Sequence, residues 1–256
     1  MSAAVAPVRI AYGPDPAQFV ELTTPAAAAP RGVVVIVHGG FWRNVHGLEL
    51  GRSPAADLVA AGYAAVNVEY RRVGGGGGWP ATFDDVAAAV DLLADALPAP
   101  SGPVVAVGHS AGGHLAAWLA ARPGLPAGAP GAGPRVRLSG VVSQAGDLDL
   151  DDAARRGVGS GAVDDLLGGG PDDVPERYAL ASPAARLPVG VPVVCVHGTA
   201  DDRVPIRQSE RYVAAAVAAG DQAELVTLPG VDHFAVIDGA SPAWRVCADA
   251  VGRLLG

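Results

Sequence analysis

Short, continuous runs of apolar residues alternate along the chain with longer alanine-rich segments. Six of the runs are rich in β-branched side chains, which is typical of strands buried on both faces of a parallel sheet. The predicted strands are residues 33–38, 64–69, 104–108, 138–143, 191–197 and 223–228. The alanine-rich segments favour helices, and the predicted helices are residues 48–61, 83–97, 111–121, 207–219 and 243–255.

This alternation of strands and helices predicts an α/β protein with a mostly parallel, doubly wound sheet flanked by helices. Right-handed crossovers place the carboxyl ends of the parallel strands along one edge, where ligands bind. With 256 residues, the chain fits one domain of this class. We therefore expect functional residues in the loops that follow strands.

Three segments interrupt the alternation. Residues 122–134 are rich in glycine and proline, which predicts a surface loop. Residues 147–183 mix acidic residues with glycines; we predict a small cap over a pocket and call them the cap segment. The glycine run 74–78 lacks the Gly-Lys-Ser/Thr sequence of a phosphate loop, so we predict a flexible loop near the pocket mouth.

Composition and charge narrow the classes of partner. Hydrophobic residues make up 50% of the chain and charged residues 17%, which excludes disorder. No apolar run approaches the roughly 18 residues that span a bilayer, and the N-terminus carries no export or lipidation signal, so we expect a cytoplasmic protein. The net charge is −8, without a basic cluster for nucleic acid or membrane. A small molecule is the expected partner, and the oligomeric state is not predicted.

The two cysteines do not indicate a metal site. Cys195 and Cys247 fit reduced, buried thiols, and a single disulfide between them stays open as an alternative. The sequence contains neither a zinc-binding spacing nor an H-E-x-x-H motif. We therefore predict no metal.

Ser110 is the candidate nucleophile. Residues 108–112 read Gly-His-Ser-Ala-Gly and match the G-x-S-x-G pattern. A predicted strand ends just before this segment and a predicted helix begins just after it, so the chain must turn sharply at the serine. Flanking glycines remove side chains that would collide with neighbouring elements. The simpler alternative is a glycine-rich turn with a capping serine, and the strand-to-helix context favours the nucleophile.

A serine hydroxyl needs a base and a carboxylate that orients the base. Acidic residues Asp201 and Asp202 follow the predicted strand 191–197, and His233 follows the predicted strand 223–228. The order Ser, Asp, His is the one used by hydrolases with a serine on a strand-to-helix turn. We predict His233 as the base, with either aspartate as the acid.

The other histidines do not follow the acid in chain order. We predict that His46, His109, His114 and His197 are hydrogen-bonded structural residues rather than bases, although His109 also lies inside the serine turn.

Residues 38–42 read His-Gly-Gly-Phe-Trp and follow a predicted strand directly. Acyl transfer needs backbone N–H donors aimed at the developing oxyanion. Glycines let this segment turn and present its amides. We predict an oxyanion hole from Gly40 or Phe41 together with Ala111, the residue after the nucleophile; the alternative is a plain strand-to-helix turn.

Together, H-G-G-F-W, G-H-S-A-G-G-H, H-G-x-x-D-x-x-V-P and D-H-F resemble the α/β-hydrolase superfamily, and within it the esterase and kynurenine formamidase-like branch. The resemblance extends from about Val33 to Phe234. It implies an α/β-hydrolase fold, acyl-enzyme chemistry and no cofactor. The D-x-x-V-P register of the resembling hydrolases favours Asp201 over Asp202.

The same resemblance implies roles for residues around the site. It implies a substrate pocket lined by Trp42 and the cap segment, and we place Gly39 and His109 in that pocket as well. Asp84 and Asp85 resemble residues that precede a helix, so we expect them to cap it. Residues 69–71, Glu-Tyr-Arg, are a pocket wall or a buried ion pair, and we favour the ion pair.

The sequence predicts a serine hydrolase that cleaves a small carboxylic ester. Hydrolysis of an aryl formamide, as in kynurenine formamidases, is the nearest alternative. A different class of function, a non-catalytic ligand receptor on a hydrolase scaffold, is a third hypothesis, because a fold alone does not fix function. Receptors of that kind lose part of the catalytic machinery, whereas this sequence carries all of it.

Overall fold

The computed structural model describes residues 6–26, 29–97 and 102–256. Residues 1–5, part of the N-terminal segment in which no export signal was predicted, lie outside the described residues. The strands are β1 (Val8–Ala11), β2 (Phe19–Thr23), β3 (Val33–Val37), β4 (Ala64–Val68), β5 (Val104–His109), β6 (Gly140–Gln144), β7 (Val193–Gly198) and β8 (Ala223–Leu228). In these parts of the chain they form one eight-stranded sheet in the order β1-β2-β4-β3-β5-β6-β7-β8.

The six strands from β3 to β8 are parallel and correspond to the six predicted strands. Strands β6 and β7 begin two residues later than predicted. The loops after β3, β5, β6, β7 and β8 therefore open at the same edge of the sheet. This mostly parallel sheet, flanked by helices, confirms the predicted fold class.

The first two strands were not predicted. β1 and β2 pair antiparallel, and β2 adds antiparallel to β4. Both are short; β1 is the edge strand and β2 lies between β1 and β4, and most of their residues are exposed or half-buried. Strands exposed in this way have no continuous apolar run, so the prediction of βα alternation throughout was wrong for this part of the chain.

The helices follow the predicted segments closely. They are α1 (Arg52–Ala60), α2 (Ala81–Asp91), α3 (Leu93–Ala96), α4 (Ala111–Ala121), α5 (Leu150–Arg155), α6 (Ala162–Leu167), α7 (Pro175–Ala181), α8 (Arg207–Ala218) and α9 (Pro242–Leu255). The predicted helix 48–61 begins as a 3₁₀ turn, Leu48–Gly51, and the predicted helix 83–97 begins at Ala81 and is interrupted at Leu92. Helices α5 to α7 lie in the cap segment, and each is too short for sequence periodicity to detect.

The two faces of the sheet bury separate apolar cores. Alternate residues of β3 belong to opposite cores, with Val35 on the face that packs against α2 and α4 and Val34 on the face that packs against α1 and α9. Trp118 and Trp244 are the large, fully buried side chains of these respective cores. A strand covered on both sides needs an apolar residue at every position, which explains the continuous apolar runs.

Two glycine-containing segments between the helices and strands form a surface loop and a hydrogen-bonded turn. Residues 122–134 run over the surface after a 3₁₀ turn, as predicted. The glycine run 74–78 is a hydrogen-bonded turn, with Gly75 and Gly77 donating to the Arg72 carbonyl, rather than the predicted flexible loop.

Cys195 and Cys247 are buried, free thiols. No helix in the described ranges has the length and apolar character needed to cross a bilayer.

Candidate active site

Ser110 lies on the sharp turn between β5 and α4. Its backbone adopts φ 56° and ψ −123°, a region that non-glycine residues rarely occupy, and such a conformation costs about 1–3 kcal/mol. The Ser110 amide donates to the Gln144 carbonyl on neighbouring β6 at 2.8 Å. The strained turn is thereby tied to the sheet and holds the serine at the edge where the strands end.

The two glycines of the motif are required by backbone packing. A Cβ at Gly108 would lie 2.0 Å from the Gly112 carbonyl oxygen, and a Cβ at Gly112 would lie 2.0 Å from the Val37 carbonyl oxygen. Both obstacles are backbone atoms, which cannot rotate away. Only hydrogen fits at these positions, so the G-x-S-x-G pattern is explained by local geometry.

The loops after β7 and β8 bring Asp201 and His233 into contact. His233 Nδ1 lies 2.7 Å from Asp201 Oδ2, and the side chains of both residues are almost fully buried. Asp202 is 78% exposed and faces Arg203 instead. The structure therefore places Asp201, and not Asp202, against His233.

Asp201 is held as a carboxylate. Burial by itself would raise its pKa, but hydrogen bonds from His197, His233 and the Val204 amide outweigh burial and hold the pKa of Asp201 well below its ordinary value. The second oxygen, Oδ1, accepts from the Arg203 and Val204 amides at 2.9 Å each. An ionised Asp201 requires the proton of His233 to lie on Nδ1, which leaves Nε2 of the imidazole as the basic atom.

The loop after β3 reaches the serine turn. Gly40, Phe41 and Trp42 have φ values of 118°, 50° and 54°, three consecutive residues in the left-handed region. A Cβ at Gly39 would lie 2.7 Å from the His109 carbonyl oxygen and 3.0 Å from Ser110 Cβ. Because Gly39 has no side chain, this loop can approach Ser110 closely, which is a different role from the predicted pocket wall.

Backbone donors are available beside Ser110. Within the part of the chain that the structure describes, the amides of Gly40, Phe41 and Ala111 donate to no protein acceptor. The Ala111 amide is at the first position of α4, where helix geometry leaves the N–H without an intrahelical partner. These three amides are free to bind an oxyanion.

The side chains of Trp42 and His109, both predicted to line a substrate pocket, are buried. The Trp42 side chain is fully buried, and its Nε1 donates to His114 Nδ1 at 3.2 Å. His114 in turn donates from Nε2 to the Ala181 carbonyl of the cap segment. Trp42 therefore supports the β3 loop from the core and exposes no surface to a substrate, because its left-handed backbone turns the indole inward.

His109 contacts both the main chain and the ring of His233. Its Nε2 donates to the His233 carbonyl at 2.8 Å, and the two rings lie 4.5 Å apart. Burial, followed by the proximity of His233, lowers the pKa of His109 to about 3. A neutral His109 holds the main chain of His233 without competing for its proton.

Residues 69–72 form a buried ionic cluster beneath the β3 loop, as favoured from the sequence, although the arginine involved is Arg72. Glu69 accepts from the Arg72 guanidinium and from the Leu48 amide, and His38 Nε2 lies 3.3 Å from the same carboxylate. Burial lowers the pKa of His38 to about 3. The cluster anchors the end of β3.

The prediction that Asp84 and Asp85 cap a helix was wrong. Helix α2 begins earlier, and Pro80 occupies its N-cap without a side-chain hydrogen bond. Asp85 is buried and binds the side chain of Arg71 at 2.7 Å, and Asp84 accepts from the Gly131 amide. The sequence identified the acidic pair but not these distant partners.

Sequence reasoning did not identify Asp147 and gave His197 only a structural role, although both lie near Asp201. Asp147, in the loop after β6, is fully buried, and neither carboxylate oxygen has a partner among the described residues. Burial, reinforced by the charge of Asp201, raises the pKa of Asp147 to about 7. His197, predicted only as a structural residue, lies 3.3 Å from Asp201 Oδ2. Their positions at the ends of β6 and β7 were the available sequence signal.

An eight-stranded, mostly parallel sheet whose fifth strand enters a helix through a strained serine defines the α/β-hydrolase fold. The chain belongs to the BD-FAE family of α/β-hydrolase-like esterases, whose family model matches residues 21–215. No curated protein matches the chain in sequence.

Solved structures of esterases share the fold. A truncated carbohydrate esterase from gut microbiota is 21% identical with a TM-score of 0.83, covering 99% of this chain and 96% of that one. Esterase 2 of the planctomycete Thermogutta terrifontis, with propionate bound, is 23% identical with a TM-score of 0.77, covering 98% and 93% of the two chains. The same esterase phosphoramylated by tabun is 22% identical with a TM-score of 0.77, covering 98% and 94%.

Proposed function

We propose that this protein is a single-domain serine hydrolase that cleaves small carboxylic esters, with Ser110 as nucleophile, His233 as base and Asp201 as acid. The observation that carries the proposal is the 2.7 Å contact between His233 Nδ1 and Asp201 Oδ2 at the sheet edge where Ser110 occupies a strained turn. Membership of an esterase family supports the reaction class.

The proposed reaction has two half-reactions. His233 Nε2 takes the Ser110 proton as Oγ attacks the ester carbonyl, and the carbonyl oxygen becomes an oxyanion. His233 then gives that proton to the alkoxide leaving group, and the acyl group remains on Ser110. Water, deprotonated by His233, attacks the acyl-enzyme and releases the carboxylic acid with Ser110 restored.

Electrostatics favour each step. The ionised Asp201 stabilises the imidazolium that forms on His233, while its contact with Nδ1 fixes the tautomer. Amides of Ala111 and of Gly40 or Phe41 serve as the oxyanion donors, and loss of one such donor typically lowers kcat by about 10²–10³. The proposed machinery draws on residues of this chain alone.

A small acyl group is the expected substrate feature. The esterase 2 structures contain propionate in one case and butyrate in another, and the same protein is phosphoramylated by tabun. By analogy we propose short acyl esters as substrates and covalent labelling of Ser110 by organophosphorus reagents. The free thiols of Cys195 and Cys247 fit a reducing compartment, so we also keep the cytoplasm as the proposed location.

The test compares wild type with Ser110→Ala on p-nitrophenyl acetate, p-nitrophenyl butyrate and N-formylkynurenine, alongside a fluorophosphonate probe. We expect kcat/KM for the short esters to exceed that for the formamide, and both turnover and labelling to disappear in Ser110→Ala. Ser139→Ala serves as the control that keeps both, because Ser139 is an exposed serine at the amino end of β6, opposite the edge that carries Ser110.

Three other outcomes have defined meanings. Faster hydrolysis of the formamide would reassign the enzyme to the aryl formamidase alternative. Labelling that persists in Ser110→Ala would contradict the nucleophile. Absence of both turnover and labelling in wild type would favour the ligand-receptor hypothesis.

A further inference from the structure

Arg43 joins the β3 loop to the cap segment. The guanidinium donates from Nε and one terminal nitrogen to Asp165 Oδ2, at 3.1 and 2.7 Å. It also donates to the Gly159 carbonyl at 3.0 Å and to the Ser160 carbonyl at 2.9 Å. One side chain thus makes four hydrogen bonds to residues more than a hundred positions away in sequence.

The receiving segment is shaped to accept this side chain. Gly157, Gly159, Ser160 and Gly161 all have φ between 54° and 78°, and this left-handed run directs successive carbonyls toward Arg43. Asp165 follows on α6, whose apolar side is buried in the core. The Asp165 acceptor is therefore held by a packed helix, and the Gly159 and Ser160 carbonyls lie in the turn that leads into it.

Phe41 forms a second contact across the same boundary. A Cβ at Gly159 would lie 2.4 Å from Phe41 Cδ1, so the aromatic ring packs directly on the Gly159 backbone. Phe41 and Arg43 flank Trp42, and both reach the cap segment. The β3 loop is thus attached to the cap segment through its two outward side chains.

The main chain of the β3 loop has few supports of its own. The Arg43 amide closes the turn by donating to the Gly40 carbonyl at 3.0 Å, and the next links run to Val73. Phe41 and Trp42 hold a left-handed backbone without being glycine, which opposes this conformation by about 1–3 kcal/mol for each of the two residues. Side-chain contacts must supply the remaining constraint: Trp42 packs into the core, and Arg43 makes four hydrogen bonds to the cap segment.

We propose that Arg43 is a positioning residue that fixes the Gly40 and Phe41 amides by tying the β3 loop to the cap segment. The inference rests on the proposed function, because it assigns those amides to the oxyanion. It couples the cap segment to catalysis, because the groups that hold the Arg43 side chain belong to that segment.

The experiment measures kcat and KM for p-nitrophenyl acetate in wild type, Arg43→Gln, Arg43→Lys and Asp165→Asn. Arg135→Gln is the matched control, because Arg135 pairs with Asp95 through a similar fork on a distant, exposed surface. We expect kcat of Arg43→Gln to fall about tenfold or more, a fraction of the 10²–10³ that loss of one oxyanion donor costs. KM should change less than twofold, and Arg43→Lys should recover part of kcat.

A second readout does not depend on turnover. Hydrogen–deuterium exchange of peptides that cover residues 38–44 should accelerate in Arg43→Gln and Asp165→Asn, and stay unchanged in Arg135→Gln. A lower kcat together with faster exchange in Arg43→Gln supports the proposal. The proposal is overturned if wild type is active and Arg43→Gln keeps kcat within twofold of the wild-type value, or if exchange in Arg43→Gln is unchanged. If wild type neither hydrolyses esters nor binds a fluorophosphonate, the proposed function fails, while the exchange result still decides whether Arg43 orders the loop.

Discussion

Asp147 is a buried carboxyl group without a hydrogen-bond partner among the described residues, and replacing it with asparagine should stabilise the protein at alkaline pH. The replacement keeps the shape of the side chain and removes its ability to ionise. Asp147 lies in the loop after β6, and the neighbouring charge is Asp201. Any pH-dependent difference between wild type and Asp147→Asn therefore reports the ionisation of this one group.

The magnitude follows from the raised pKa. Burial first, and the charge of Asp201 second, move the pKa of Asp147 from 3.8 to about 7 in the folded protein. The folded state keeps its proton up to about pH 7, whereas the unfolded chain releases it near pH 4. Stability therefore falls as pH rises from about 4 to 7, and the loss is complete above the folded pKa. At about 1.4 kcal/mol per pKa unit, the loss reaches about 4 kcal/mol as an upper estimate.

Thermal unfolding at pH 4.5 and pH 8.5 tests this reasoning. Asp147→Asn should unfold near the wild-type temperature at pH 4.5 and up to about 8–16 °C higher at pH 8.5, since wild type loses up to about 4 kcal/mol and 1 kcal/mol corresponds to about 2–4 °C in a chain of this size. Asp202→Asn is the control, because Asp202 is exposed in the neighbouring loop. A difference in Tm that is the same at both pH values would refute the raised pKa and its cause.

Two further substitutions test the packing around the site. Gly112→Ala should lose more than about 3 kcal/mol of the free energy of unfolding, because its Cβ meets the Val37 carbonyl. Gly124→Ala should differ little from wild type, because a Cβ there makes only an ordinary contact with the Arg186 side chain at 3.7 Å. Equal urea midpoints for the two variants would contradict the argument. His197→Leu should cost about 1.5–3 kcal/mol, because it removes an imidazole whose Nε2 lies 2.9 Å from the Val204 carbonyl and 3.3 Å from the buried Asp201 carboxylate. His197→Gln should recover part of that loss, and an unchanged urea midpoint for the leucine variant would show that the contact carries no free energy.

The parts of the fold that sequence predicts are those with a local signal. Every residue of β3 is buried, so its run of five apolar residues is visible without knowledge of its neighbours. The same holds for α4 and for the glycines of the serine turn, which are required by clashes with nearby backbone. By contrast, β1 is exposed at the sheet edge and is identified only by its pairing with β2.

In the candidate site, too, some residues have a local sequence signal and others are identified only by their contacts in space. Ser110, Asp201 and His233 each follow a strand, so the order of strands alone brings them to one edge of the sheet. The choice between Asp201 and Asp202 depends instead on which carboxylate turns inward, and the amides of Arg203 and Val204 decide it by binding Asp201 Oδ1. Such contacts are local in space but are not encoded by hydrophobic periodicity.

The sequence motifs do not predict the side-chain directions of Trp42 and Arg43. Both are neighbours of the predicted oxyanion residues, yet left-handed backbone at Gly40, Phe41 and Trp42 turns the indole into the core and the guanidinium toward the cap segment. Trp42 thus packs in the core beneath the loop, and Arg43 links the β3 loop to the cap segment by hydrogen bonds. The directions of these side chains follow from three φ values, because in this loop the backbone conformation, rather than residue type, determines which side chain enters the core and which reaches the cap segment.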